Sequence, residues 1–152
     1  MDEMFKNFHF NDKPEKLVTV INGMKLPDDY LAFMRGHNGG EGPLGKYNYG
    51  RFCPLEELQA LNDDYEVPNW WPGYVAIGGI DDELWAYNPS KGIYCQIDLC
   101  NIAEDTYSTI SNSLAEFLIN MDKELEKFHR EEESIEKMKR DFAEWTERFF
   151  KT

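Results

Sequence analysis

The stretch LPDDYLAFMRGHNGG, Leu26 to Gly40, decides how the chain is read, because it sets a helix pattern directly against clustered glycines. Pro27, Asp28 and Asp29 open a helix: proline suits the first turn, and acids favour the positive end of the helix dipole. Tyr30, Leu31, Phe33 and Met34 then recur at helical spacing. Asn38, Gly39 and Gly40 supply the left-handed conformations expected to close that helix. Glycine-rich phosphate loops place their glycines before a helix, where free N–H groups face the anion. Here the glycines follow the helix, where unpaired carbonyls repel anions, and neither GxxxxGKS/T nor GxGxxG occurs. The predicted role is helix stop and turn.

Upstream, Asp12 is placed to cap a short helix with Pro14 and Glu15 in its first turn, Leu17, Val18 and Ile21 on one face, and Asn22 and Gly23 at its end. Downstream, RFC at Arg51 to Cys53 reads as a brief strand broken by Pro54, followed by a helix of one or two turns. Three further strands are expected: YVAIGGI from Tyr74, ELWAYNP from Glu83 and IYCQIDL from Ile93. Each is short, rich in β-branched or aromatic residues and bounded by turn signals, and their close spacing argues for antiparallel hairpins. LCNIAEDTY, from Leu99, reads as an irregular approach to the last helix.

From Leu114 the pattern is helical for the rest of the chain. Leu114, Met121, Phe128, Ile135, Phe142 and Phe149 are spaced by seven, flanked early by Leu118 and Leu125 and later by Met138 and Trp145. Arg130 to Glu133 interrupt this stripe, which predicts a kink or break there. Glu133 with Lys137, Glu136 with Arg140, Glu144 with Arg148 and Glu147 with Lys151 have the favoured acid-first order of an exposed helix face. An aromatic stripe left uncovered would drive homodimerisation through this helix.

Composition bounds the function. At 152 residues, 41% hydrophobic and 14% aromatic, the chain fits a single folded domain spanning 1–152. No apolar run approaches the ~18 residues of a membrane span, and MDEMFKNFHF lacks a basic region followed by an apolar one. Cys53, Cys95 and Cys100 form no CxxC pair and suit reduced thiols, so a cytoplasmic location is expected. The net charge of −13 repels nucleic acid and anionic lipid, which argues against direct binding of either. Its surplus is concentrated: from Glu56 to Asp105 eleven acids stand against one base, Lys91.

Catalysis finds little support. Asp63, Asp64, Asp81, Asp82 and Glu83 could serve acid and base roles, yet adjacent acids in turns mostly face solvent. His9, His37 and His129 are scattered, without metal-ligand spacing, and Cys95 and Cys100 read as small buried hydrophobes beside a strand. There is no GxSxG elbow. No catalytic residue, cofactor or metal is therefore predicted. Trp70 and Trp71, framed by Pro68 and Pro72 and close to Glu66, read as a hot spot for a protein partner, a platform for a sugar, or a cap on the core; all three stay open.

LPDDYLAFMRGHNGG resembles the LPxxYxxFLxxxNGG signature that opens domains of the SUKH superfamily, the Smi/Knr-like fold of bacterial immunity proteins and a fungal cell-wall regulator. Leu26, Pro27, Tyr30, Phe33, Asn38, Gly39 and Gly40 carry the match. GYVAIGGI with ELWAYNPSKGIYCQ resembles that family's core hairpins, and SNSLAEFLINM its closing helix. The likeness runs from about Lys13 to Met121, leaving 122–152 as a helical extension. Where many relatives have a DGGGD turn, this chain has Gly78, Gly79, Ile80, Asp81, Asp82 and Glu83. The resemblance implies an α+β fold, a curved and mainly antiparallel sheet with helices against it. It also implies a non-catalytic immunity protein that binds a cognate toxin, often a nuclease. An acidic surface suits that role as a phosphate mimic in a basic cleft, with Asp63, Asp64, Glu66, Trp70, Trp71, Asp81, Asp82 and Glu83 as contact candidates. Acidic surfaces also serve solubility, and a small-ligand or carbohydrate-binding regulator using the Trp70 and Trp71 loop is the alternative.

Overall fold

The computed structural model describes residues 3–100 and 106–150. It is an α+β fold built on an open seven-stranded antiparallel sheet. In chain order the elements are β1 (His9–Phe10), β2 (Val20–Ile21), β3 (Met24–Lys25), α1 (Asp28–Gly36), β4 (Gly40–Leu44) and β5 (Asn48–Phe52). After a 3₁₀ turn at Leu55–Glu57 come α2 (Leu58–Asp64), α3 (Val67–Trp70), β6 (Val75–Ile80), β7 (Glu83–Asn88), β8 (Ile93–Asp98), β9 (Tyr107–Ser111) and α4 (Leu114–Phe150). The sheet order is β1-β4-β5-β6-β7-β8-β9, and register shifts at Ala76/Gly78 and Tyr94/Gln96 add local twist to it.

Strand alternation sends side chains to two cores. Val75, Ile77, Trp85 and Tyr94 face Tyr30, Leu31 and Met34 of α1 and Leu114, Phe117, Leu118 and Met121 of α4. Ala76, Leu84, Ala86, Cys95 and Ile97 face Val67, Trp71 and Tyr74 on the opposite side. Trp85 is fully buried, edge-on to Phe52 and Phe117. Gly50 makes room for it, since a Cβ there would overlap the indole.

Two polar side chains hold the helices in place. Asn62 of α2 is buried; its amide nitrogen donates to Leu58 O (2.8 Å) and Ala76 O (3.0 Å), while its oxygen accepts from Ala76 N (2.8 Å). Pro54 ends the strand neighbouring β6, and Asn62 supplies the hydrogen bonds that strand would have made. Asp29 accepts from Leu114 N at the start of α4 (2.8 Å) and from the Tyr94 hydroxyl (2.5 Å), tying α1, β8 and α4 together.

Several expectations are corrected. Residues between Asp12 and Ile21 form no helix; instead Val20–Ile21 pairs with Met24–Lys25 around Asn22 (φ 51°) and Gly23 (φ 76°), the two left-handed residues of a tight hairpin. The glycines do not close α1, which ends at Gly36 with an extended cap at His37. Gly39 (φ 77°) lies where a Cβ would overlap the Phe52 carbonyl, and Gly40 begins β4. Asn38 accepts from Leu55 N (2.8 Å) and donates to Glu56 (2.6 Å), anchoring the start of the 3₁₀ turn. Helix α4 runs unbroken through Arg130 to Glu133. Along it Glu133 meets His129 and Glu136 meets Lys139, in place of the pairings with Lys137 and Arg140; Lys151 lies outside the described residues. The approach to α4 contains β9 from Tyr107 onward, while 101–105 fall outside the described residues.

Candidate functional site

One groove is bordered by the acidic β6–β7 loop and by Tyr65, which lies within the acidic run at the end of α2. It has a volume of about 260 Å³ and lies beside α2, over Gly50, Gly78 and Gly79 of adjacent strands. Exposed Tyr49 and Tyr65 contribute aromatic rings, and Glu41, Arg51, Asp81 and Glu83 contribute charge. Tyr65 follows Asp63 and Asp64 at the end of α2 and precedes Glu66, which stands in a left-handed conformation (φ 50°) ahead of α3. Asp81 and Asp82 form the two-residue loop between β6 and β7, Asp81 at φ 46°. Asp81, Asp82 and Glu83 also border a second depression with Gln96, Asp98 and Ser108, carrying the acidic surface onto β8.

The candidates differ in how free they are. Asp63, Asp64, Glu66, Asp81 and Asp82 are exposed, with Asp63 accepting from Gln59 (3.0 Å). Glu83 is committed: one oxygen accepts from Trp85 Nε1 (2.9 Å) and Gln96 Nε2 (2.6 Å). It satisfies the only polar atom of the buried indole, a structural duty the acidic run did not signal. Arg51 is paired with Glu57 at 3.4 Å. Trp70 and Trp71 separate, Trp70 being 54% exposed while Trp71 is 4% exposed and packed in the second core. The groove lining includes neither tryptophan. Tyr49 and Tyr65 escaped the sequence reading; alternation along β5 was the available signal for Tyr49.

The thiols are not poised for nucleophilic work. Burial pushes Cys53 up to about 11 and Cys95 up to about 12. Cys100 is exposed, contrary to the buried role expected for it, and the neighbouring Asp82 carboxylate raises its pKa. Among the described residues, no group of three or more His, Cys, Asp or Glu could hold a metal ion. No described helix is long and apolar enough to cross a membrane.

An antiparallel sheet entered through the LPDDY helix and closed by the LAEFL helix defines an α+β domain of the Smi/Knr type. The model of the SMI1/KNR4 family (SUKH-1) matches residues 16–120, and the chain belongs to that family. No curated protein matches the chain.

Proposed function

We propose that this chain is a single SUKH-like domain with a C-terminal helical extension, acting in the cytoplasm as a non-catalytic immunity protein. Its partner is a cognate protein toxin, of the nuclease type, met by the acidic surface. The observation that carries this reading is a groove bordered by Asp81 and Glu83 on one side and by Tyr65 on the other, with exposed Asp63, Asp64 and Glu66 beside Tyr65 in the chain and exposed Asp82 beside Asp81. Exposed carboxylates with few neighbouring cations attract a basic cleft over a distance and orient it before contact. Family membership supports the same role. Trp70 is the exposed aromatic anchor available on the α3 side, and with Trp71 in the core the two tryptophans do not form a shared platform for a sugar.

The experiment is co-expression with the toxin encoded beside this gene, followed by kinetic binding of purified variants. Reversing Asp63, Asp64, Asp81 and Asp82 to Lys should slow association while leaving the fold intact, because exposed charges contribute little to stability. Wild-type association should slow as salt rises past ~0.15 M, where the screening length is about 8 Å. Trp70→Ala should instead speed dissociation, with little dependence on salt. A fourfold reversal that still protects cells and binds at an unchanged, salt-independent rate would reduce the acidic face to a solubility surface.

A further inference from the structure

Helix α4 leaves the cores after Met121 and keeps a ring contact to the β4–β5 turn at His129, 5.3 Å from Tyr47. From Lys123 onward its described side chains are exposed, save Glu126 and Thr146, which are half-buried. Phe128, Ile135, Met138, Phe142, Trp145 and Phe149 each expose about half to two-thirds of their surface. Steps of three, four and seven keep the six on one face of the helix. Together they present on the order of 800 Å² of largely apolar surface, more than the roughly 300–600 Å² of the largest patch on a typical monomer. That area matches the share of about 800 Å² that each partner contributes to a stable protein interface.

We propose that this face is the interface of an antiparallel dimer of two copies of this chain, the projecting helices lying along each other over 123–150. The midpoint of the projecting segment falls between Glu136 and Lys137. Centring the two-fold there sets Ile135 opposite Met138 of the second copy and Phe128 opposite Trp145 of the second copy, and the symmetry repeats each pair. Glu132 then faces Lys139 of the second copy on the flank, also twice. Lys127 and Arg148 of the second copy approach at the two ends, where solvent and salt limit their repulsion. Parallel pairing in register would instead set Glu131 face to face with Glu131 of the second copy, whereas the antiparallel register sets Glu131 opposite Phe142 of the second copy, with no like charge facing it. The antiparallel arrangement separates those two carboxylates by about 16 Å along the axis. This interface lies on the extension and is independent of the acidic groove.

Sedimentation equilibrium of the full chain over a wide concentration range, with and without lipid vesicles, tests the proposal. A two-chain mass is expected, and Ile135→Asp should weaken the dimer about a hundredfold or more while circular dichroism stays that of the folded chain. Glu132→Lys and Lys139→Glu should each weaken it a few-fold, roughly the effect of an exposed pair, and the double variant should recover the wild-type affinity. The proposal is overturned by a single-chain mass at every concentration, by a dimer indifferent to Ile135→Asp, or by a double charge variant weaker than either single one. A monomer whose helix binds vesicles would overturn it too, since the apolar face would then belong to a membrane surface.

Discussion

Replacing Asn62 by alanine tests whether one side chain stands in for a missing stretch of strand. The carboxamide makes three hydrogen bonds in the interior, two of them to the N–H and C=O of Ala76. Asn62→Ala leaves both Ala76 groups buried without those partners, at a cost of about 1–3 kcal/mol each. The small cavity adds to the loss, so about 3–5 kcal/mol is expected from a fold whose whole stability is of the order of 5–15 kcal/mol. For a chain of this length that lowers the melting temperature by roughly 10 °C. Asn62→Leu, which fills the space but pairs with nothing, should fare no better, and Asn62→Asp, which keeps the acceptor for Ala76 N–H, sets a buried carboxylate oxygen against the Leu58 and Ala76 carbonyls and should also destabilise. Urea unfolding followed by tryptophan fluorescence gives the energies, and amide exchange at Ala76 gives the local effect. A loss below about 1 kcal/mol, with the Ala76 amide still protected, would refute the reasoning.

Four further outcomes are expected. Tyr30→Phe should be neutral or stabilising by up to about 1 kcal/mol in thermal melts, because the Tyr30 hydroxyl is buried with no hydrogen-bond partner among the described residues; Tyr94→Phe, which breaks the bond to Asp29, should destabilise. Gly39→Val should cost at least about 2 kcal/mol in denaturant unfolding, since the site combines positive φ with contact against the Phe52 carbonyl. Stability should fall as pH rises above about 9: burial raises the thiol pKa values of Cys53 and Cys95 and the hydroxyl pKa values of Tyr30 and Tyr94. The folded chain then keeps protons that the unfolded chain releases, each contributing on the order of 1 kcal/mol per pH unit, and a stability flat up to pH 11 by urea titration would refute this. Deleting all residues after Glu133 should leave the melting transition of the core in place, because the cores draw on α4 only as far as Met121.

The central hairpins were legible because their residues carry their own instructions. Alternating apolar side chains in VAIGGI, ELWAYN and IYCQID, separated by Asp81-Asp82 and by the turn closing at Gly92, leave little else to form. β4 was not legible. GEGPL has almost no strand propensity and becomes a strand because its glycines let Phe8, His9 and Phe10 approach closely. Asn22-Gly23 serves equally as a helix end or a hairpin turn, and Asp12 with Pro14 imitated a helix start, so local signals chose wrongly where tertiary pairing decided. In α4 the charged interruption changed the polarity of one face without lowering helix propensity, and the helix continued. As for the candidate site, the acidic surplus was plain in the composition. That Tyr65, beside Asp63, Asp64 and Glu66, reaches the same groove as Asp81 depends on α2 folding against β6, a contact made by Asn62 that no local pattern announces.

Asp122 bears on what the extension can do mechanically. Its carboxylate accepts from the backbone N–H groups of Lys46 (3.1 Å), Tyr47 (2.7 Å) and Asn48 (3.1 Å), so the β4–β5 turn grips α4 at the point where the helix departs. The 28 described residues beyond, 123–150, form a lever about 42 Å long. A tilt of about five degrees at the grip sweeps the far end through about 4 Å, roughly two-thirds of the ~5.4 Å helical pitch. The Asp122 carboxylate thus adds to the buried Leu114, Phe117, Leu118 and Met121 and to the Tyr47–His129 ring contact in setting the aim of the rod, and Asp122→Ala should widen the cone through which its tip wanders more than it alters the rod's own helicity.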